Sequence, residues 1–530
     1  MIVAQASTTA SSIYNNSSID HLLCDADVAI MESSSTTITT TTMPLLLLCA
    51  TVAVSALLLS LLSRRKGPGA KTGRLPPGPP ALLFLAKFLA LRRSIFDLGP
   101  LLRDMHARYG PVISLRLART LVFVADRRLA HRALVQGGAT FPDRPPPVDP
   151  GTLFTAGGRD ISSSPYGAYW RLVRRNLAGD ALTPARVACF APARRWACDG
   201  LVDSLVDSLR ARAGAVELRP LLRRAMFELL VYMCFGARLG PDALDEVEAL
   251  QHGALLSVTS FPVFAFFPAV TKRLFRRRWE ENVAVRRRQD EVFVPLIHAA
   301  RGGDDDPPCY AASLRALRVA EEGDRPLTDA EMVSLCSEFL NGGTDTTVTL
   351  VEWIMAELVN HPDVQAKVHE EVTSGSKEAE ELLSGGGGGE LRFLKAVVLE
   401  GLRLHPPGHF VLPHGVRGDA NIGGYTVPKG AEVNFLVAEI GRDEEVWTAA
   451  REFRPSRFMD GGEGCGVDIT GSREIKMMPF GAGRRMCPGY TLGMHHAEYF
   501  VARMVRDLEW RPRWTAWRST WRRRWISPPS

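Results

Sequence analysis

Hydrophobic and polar positions divide this chain into parts of unlike character. Residues 43–63 read MPLLLLCATVAVSALLLSLLS, an apolar run without a charge. At about 1.5 Å rise per residue, a helix of that length matches the roughly 30 Å hydrocarbon thickness of a bilayer. Arg64, Arg65 and Lys66 follow at once, whereas residues 1–63 hold no Lys or Arg. The positive-inside rule then puts the N terminus in the lumen and the bulk of the chain in the cytosol. A cleaved secretory signal needs basic residues ahead of a shorter apolar core, and a transit peptide needs arginine; neither pattern is present. A single uncleaved transmembrane helix over 43–63 is therefore expected. Residues 1–42 are Ser/Thr-rich with little to bury, which predicts disorder.

Residues 64–80 read as a basic, proline-rich linker. It ends in LPPGPP (75–80), whose fixed φ angles predict a stiff spacer. From 81 to about 300, amphipathic helical stretches alternate with Gly and Pro breaks. Two low-complexity pieces, 302–308 and 385–389, read as flexible surface loops. Between them Thr328 and Glu331 form a capping-box pattern. The helix they start runs until His361-Pro362 stops it, about 32 residues later. Further on, YTVPKGAEVNFLV (425–437) alternates and is rich in β-formers, which predicts a small sheet. The reading is a mainly α fold with a minor β-sheet, forming one large domain over 81–510.

Composition narrows the classes. Of 530 residues, 46% are hydrophobic and 23% charged, as a packed core requires, which excludes disorder as the main state. The formal charge of +6 excludes a strongly basic nucleic-acid binder and leaves room for a local basic patch. The nine cysteines are odd in number and none form a CxxC pair, which disfavours both a zinc ribbon and a disulfide framework. Most suit small buried hydrophobes.

Cys487 needs a different explanation. It lies in Phe480-Gly481-Ala482-Gly483-Arg484-Arg485-Met486-Cys487-Pro488-Gly489, just ahead of a helical pattern. The glycines permit positive φ and close approach to a flat ligand, and a helix N terminus lowers a thiol pKa. A nucleotide-binding loop fails here, because no third glycine follows Gly481-x-Gly483 at the required spacing. A buried structural cysteine and a metal-ligating thiolate both remain. Two other sites carry polar groups in unusual places. Gly342-Gly343-Thr344-Asp345-Thr346-Thr347 interrupts the long helix pattern and predicts a local opening that exposes a carboxylate and hydroxyls. Glu400 and Arg403 fall on one helix face, as do Trp170 and Arg174, and each pair taken alone suits a surface contact.

Together these motifs resemble the cytochrome P450 superfamily, specifically the plant endoplasmic-reticulum enzymes, over roughly residues 70–510. The haem signature F-x-x-G-x-R-x-C-x-G matches at Phe480, Gly483, Arg485, Cys487 and Gly489. The resemblance implies haem b with Cys487 as axial thiolate. Trp170, Arg174 and Arg485, with His414 beside them, are expected on the haem propionates. Asp345 and Thr346 take the acid and threonine positions of proton delivery. Glu400 and Arg403, joined by Arg457 further on, are expected as a buried structural triad. Phe339, Leu340, Gly343, His409, Phe410 and Val411 are expected around an apolar substrate pocket. The implied reaction inserts one atom of O2 into an apolar small molecule, with electrons passed from NADPH by a flavoprotein reductase. The implied place is the endoplasmic-reticulum membrane, with the catalytic domain cytosolic and bound to no nucleic acid. A reductase-independent haem-thiolate isomerase or dehydratase is the rival within the same chemistry.

The C-terminal residues 511–530 depart from the family, whose members close the pocket with a β-hairpin. Here Trp514, Trp517, Trp521 and Trp525 stand among six arginines between 511 and 524. A basic amphipathic helix on an anionic membrane is one reading. The other is a frameshift. Trp has only the codon TGG, which one base out of frame reads as Leu, Met or Val followed by a codon starting with G. Permitted GC-rich codons from Arg513 onward then spell VDGVEVDLAEEMDFTTV, the acidic alternating pattern of a closing hairpin. A frame-shifted tail is the expectation. It leaves open a non-functional chain that folds poorly or holds no haem.

Overall fold

Thr328 starts the helix that organises the fold. Its hydroxyl accepts from Glu331 N at 3.3 Å, and Glu331 Oε2 accepts from Thr328 N at 2.8 Å, the reciprocal bonds of a capping box. The helix runs Asp329–Asn360, 32 residues, and stops at His361, ahead of the proline that opens Pro362–Val372. A computed structural model describes residues 74–80, 84, 98–116, 119–211, 216–260, 262–265, 267–300, 309–385 and 391–512, together with the backbone of Val3–Gln5. The expected anchor at 43–63, the rest of the segment 1–42, the linker up to residue 73, the loop at 302–308, most of 385–389 and the tail from 513 lie outside these residues. Among the described residues no helix is long and apolar enough to cross a membrane.

Around the long helix pack Leu218–Phe235, Pro241–Thr259, Arg276–Ala299, Arg392–Leu404 and Tyr490–Asp507. Leu335, Val351, Ile354 and Leu358 of the long helix share one apolar core with Met226, Leu230, Phe500 and Met504. Small residues set the spacing. A Cβ at Gly343 would lie 2.8 Å from Leu230 Cδ1, and one at Gly401 would lie 2.5 Å from Ile354 Cγ1, so the helices approach closely at both positions.

A four-stranded sheet forms a second, smaller core. Its order is Val112–Arg116, Thr120–Val124, Glu432–Phe435, His414–Gly415, with the middle pair parallel and the outer pairs antiparallel. The segment 425–437, expected in one sheet, divides between two. Tyr425–Val427 closes a hairpin with Ala420–Ile422, and Glu432–Phe435 joins the larger sheet. Gly423 and Gly424 make that hairpin's two-residue turn, with φ of +61° and +84°, which only glycine adopts cheaply.

The stiff segment LPPGPP packs against the first strand of the sheet. Ser114 donates to it twice, from N to Pro77 O at 2.8 Å and from Oγ to Pro76 O at 2.6 Å. A Cβ at Gly78 would collide with the Ser114 carbonyl. Residues 76–78 are thus docked on the first strand, which fixes the course of the segment that leads into the domain. At the other end, Glu509–Arg511 forms a strand paired with Val3–Gln5, and Trp510 is buried with its backbone held on both sides by Gln365.

Candidate active site

The loop 480–489 is folded by its glycines. Gly481 and Gly483 have φ of +71° and +70°, and a Cβ at Gly483 would collide with the Leu134 carbonyl oxygen. This lets Cys487 N donate back to Phe480 O at 2.8 Å and close the loop. Phe480 stands edge-on to Tyr490, the first residue of the following helix, with ring centroids 6.2 Å apart. Gly489 caps that helix at φ −94°, an ordinary value, so its conformation makes no demand for glycine. The thiol does not follow the expected lowering. Burial pushes the Cys487 pKa up, against the Gly489 N–H and Arg174, which pull it down.

Beside this loop several cationic groups converge. Trp170 and Arg174 lie one turn apart on Ala168–Asn176. Trp170 Nε1 donates to Ile161 O at 3.0 Å, and Arg174 donates to the carbonyl of Met486. Arg485 donates to three carbonyls, Pro142 O at 2.7 Å, Ile161 O at 3.0 Å and Ser164 O at 2.5 Å, with its guanidinium 4.4 Å from the Trp170 ring centroid. His414 Nδ1 is 2.8 Å from Phe141 O. Arg144, which belongs to none of the motifs, joins them: its Nε donates to Ser162 O at 3.0 Å and its Nη1 to Leu412 O and Pro413 O at 3.0 and 3.1 Å. Its only sequence signal is the compact FPDRP around it.

Burial, then neighbouring like charge, weakens proton binding on these groups. Arg144 is pushed down to about 9 and Arg485 to about 10, with Arg174 among the repelling charges on each. His414 is pushed down to about 3 by burial, with Arg144 and Arg485 adding to the effect. Buried cations that depress one another are stabilised by an incoming anion. A flat cofactor with two carboxylates and a metal that takes a thiolate fits this donor set.

Along the long helix the expected local opening is absent. Gly342 to Thr347 continue the α-helix, and Thr344 Oγ1 and Thr346 Oγ1 donate to Leu340 O and Gly342 O, both at 2.7 Å. Back-bonded hydroxyls satisfy themselves without unwinding the turn. Thr346 is exposed, and a Cβ at Gly342 would meet nothing within 4 Å, so these two residues face open space. The expected pocket residues divide. Leu340 is fully buried in the core and Gly343 packs on Leu230, so neither lines that space. Phe339 lies seven residues before Thr346, on nearly the same face, against Tyr310 at 5.2 Å. Of the 408–413 stretch, His409 is exposed and Phe410 half-buried, while Val411 Cγ1 comes within 3.6 Å of the Cβ position of Gly481. Asp345 Oδ1 pairs with Arg223 Nε at 3.0 Å.

Glu400, Arg403 and Arg457 form a triad with fully buried side chains. Arg403 grips Glu400 through Nε at 2.6 Å and Nη2 at 2.8 Å, and Arg457 Nε lies 3.0 Å from Oε1. The arginines also donate to the carbonyls of Gly441, Thr448, Ala449, Ala450 and Glu452, and Arg457 pairs with the Glu463 carboxylate, so the triad ties Arg392–Leu404 to the segment 441–463.

Comparison with known proteins accords with this arrangement. The profile described as Cytochrome P450 matches residues 76–518. The chain is 44% identical over 451 residues to "Cytochrome P450 89A9" of Arabidopsis thaliana, covering 83% of this chain and 88% of that one. It is 30% identical over 467 residues to "Flavonoid 3'-monooxygenase" of the same plant, covering 86% and 88%. Among solved structures, a zebra fish cytochrome P450 with abiraterone superposes with a TM-score of 0.62 at 22% identity, over 77% of this chain and 91% of that one. A retinoic acid-bound cyanobacterial enzyme superposes with a TM-score of 0.63 at 20% identity, over 82% and 92%. By the profile match and the identity to its plant relatives, the chain belongs to the cytochrome P450 family of haem-thiolate monooxygenases.

Proposed function

We propose that Cys487 ligates the iron of haem b and that Arg144, Trp170, Arg174, Arg485 and His414 hold its propionates. The observation that carries this reading is Arg174. It donates to the carbonyl of Met486, the residue before the cysteine, and its charge acts on both Cys487 and the cradle. Haem held here would supply O2 activation at its iron, with Cys487 as the thiolate ligand.

The protein's own residues do the rest. Asp345 and Thr346 are assigned to proton delivery. Thr346 Oγ1 now donates to Gly342 O, so supplying a proton to the open side requires that hydroxyl to rotate. Phe339, Phe410 and Val411 offer apolar walls, which suits an apolar small molecule and keeps stray water out. Electrons are assigned to an NADPH-dependent flavoprotein reductase. Arg171, Arg175 and Arg484 are exposed, with Arg171 and Arg484 both within 6 Å of the Tyr166 ring centroid (5.7 and 5.2 Å), a basic patch at the cysteine loop that suits an acidic partner. Attachment to the endoplasmic reticulum is assigned to the run 43–63. Exposed Phe267, Val270 and Leu274, among Lys272, Arg273 and Arg276, offer a second face for the bilayer.

The test is Cys487→Ala. It is expected to abolish the red-shifted Soret band that thiolate ligation produces in the ferrous carbon-monoxide complex. A variant that keeps that band has another ligand, and the assignment fails. Turnover of peroxides without NADPH by the unaltered enzyme would favour the isomerase reading instead.

A further inference from the structure

One short segment without helix or strand carries most of the cationic cradle. Ile161 O accepts from both Trp170 Nε1 and Arg485 Nη1, each at 3.0 Å. Ser162 O accepts from Arg144 Nε at 3.0 Å, and Ser164 O accepts from Arg485 Nη2 at 2.5 Å. The position of these carbonyls therefore fixes where three of the five cradle side chains end.

The amides of the same segment are held from the opposite direction. Ile161 N donates to Glu338 Oε2 at 2.8 Å, and Ser162 N donates to Glu338 Oε1 at 2.7 Å. Glu338 stands on the long helix, eight residues and a little over two turns before Thr346. The Ile161 carbonyl and the Ser162 amide belong to one peptide unit, which is planar and rigid. A grip on its N–H is thus a grip on its C=O, which points to Trp170 and Arg485. The charged group nearest in the segment, Asp160, turns back on Ser163 N at 2.8 Å and leaves the two amides to Glu338.

We propose that Glu338 is a positioning residue for the cofactor carboxylates: by clamping the peptide 161–162 from the long helix, it aims the cradle built on that peptide. The proposal rests on reading the cradle as the propionate site. It links the helix that carries Asp345 and Thr346 to the opposite end of the cofactor, through one carboxyl group and one peptide plane.

Two measurements on purified holoenzyme test it, namely haem transfer to excess apomyoglobin and the propionate bending band in the resonance Raman spectrum. Glu338→Gln keeps the shape of the side chain, but its nitrogen cannot accept from an amide. It is expected to release haem on the order of tenfold faster, as loss of a supporting partner does at metal sites. Its propionate band should move while the thiolate band of the carbon-monoxide complex stays in place. Arg485→Ala separates the two levels of the argument. If Arg485→Ala retains haem like the unaltered enzyme, the cradle reading itself is wrong. If Arg485→Ala loses haem but Glu338→Gln does not, the cradle stands and the role of Glu338 falls. That role falls equally if Glu338→Gln sheds haem with its propionate band unmoved, because a general weakening of the fold does that. Should Glu338→Gln fail to load, Glu338→Asp replaces it: a shifted band supports the proposal and an unshifted one overturns it.

Discussion

Arg223 Nε lies 3.0 Å from Asp345 Oδ1, so the acid assigned to proton delivery is tied to the neighbouring helix. The same guanidinium also binds Glu248, while Asp345 Oδ2 is buried with no hydrogen-bond partner among the described residues. The pair holds the carboxylate in one place and leaves one oxygen to act. Asp345→Asn removes the transferable proton and keeps the size. It is expected to lower product formation on a surrogate substrate by about 10²-fold with haem loading intact. Arg223→Met should cost less, a few-fold in product per NADPH consumed, because the acid remains but loses its guide. Equal yield per NADPH in Arg223→Met and the unaltered enzyme would detach this ion pair from proton delivery.

The glycines of the signature loop are not equivalent, although one motif names both. Gly483 sits at φ +70° with the Leu134 carbonyl where a Cβ would go. Gly489 sits at φ −94°, and the nearest atom to its Cβ position is Leu182 Cδ1 at 3.8 Å. Gly483→Ala should therefore disturb the Cys487 loop and yield little or no thiolate-ligated protein. Gly489→Ala should load haem and keep the carbon-monoxide spectrum. Haem per protein after purification measures both, and a reversed order would mean that contact with cofactor, not backbone geometry, selects these glycines.

Charge at the cradle predicts opposing pH dependences in the haem-free chain. His414 has its pKa pushed from 6.5 to about 3, so the folded state binds fewer protons than the unfolded state within that window. Stability must fall as pH falls through it. Glu338 is pushed from 4.5 to about 8, chiefly by burial and then by Asp160, so the folded state binds more protons in between. Its contribution is complete below 4.5 and is lost as pH rises toward 8. Melting temperatures of the haem-free chain between pH 5 and 8 should show it: His414→Gln flattens the loss on the acid side, Glu338→Gln the loss on the alkaline side. Both variants flattening the same side would contradict these assignments.

The sequence is legible where local chemistry settles the structure. A capping box and a proline bound the 32-residue helix without reference to anything else in the molecule. The cysteine loop is legible because glycines, arginine and cysteine stand at fixed spacing. Contacts between distant residues are not. Arg144 reaches carbonyls at Ser162, Leu412 and Pro413, and no spacing rule announces that convergence. By spacing alone Glu338 is any polar residue on a long helix, since its partners stand 176 and 177 positions away. Val112–Arg116 gives no strand signal because four successive residues are buried, which erases the alternation that marks a half-exposed strand. The helix dipole argument for a lowered Cys487 pKa is sound locally, but the burial that outweighs it is a property of the whole fold.

Topology gives the last prediction. The absence of Lys and Arg from residues 1–63, followed by Arg64-Arg65-Lys66, argues for a lumenal N terminus. The strand Val3–Gln5, however, pairs with Glu509–Arg511 at the end of the catalytic domain. A membrane cannot separate two paired strands, so one of these arrangements excludes the other in the cell. The chain carries its own reporter, because Asn15-Asn16-Ser17-Ser18 contains two overlapping N-x-S acceptor sites. With the N terminus in the lumen, microsomal protein is expected to gain one or two glycans that an endoglycosidase removes and that the double variant Asn15→Gln, Asn16→Gln lacks. Protease added to the sealed microsomes should digest the domain and leave a short glycosylated fragment protected. An unglycosylated chain with no protected fragment would place residues 1–42 with the domain. The strand pairing would then be free to form, and the run at 43–63 would not be a single-pass anchor.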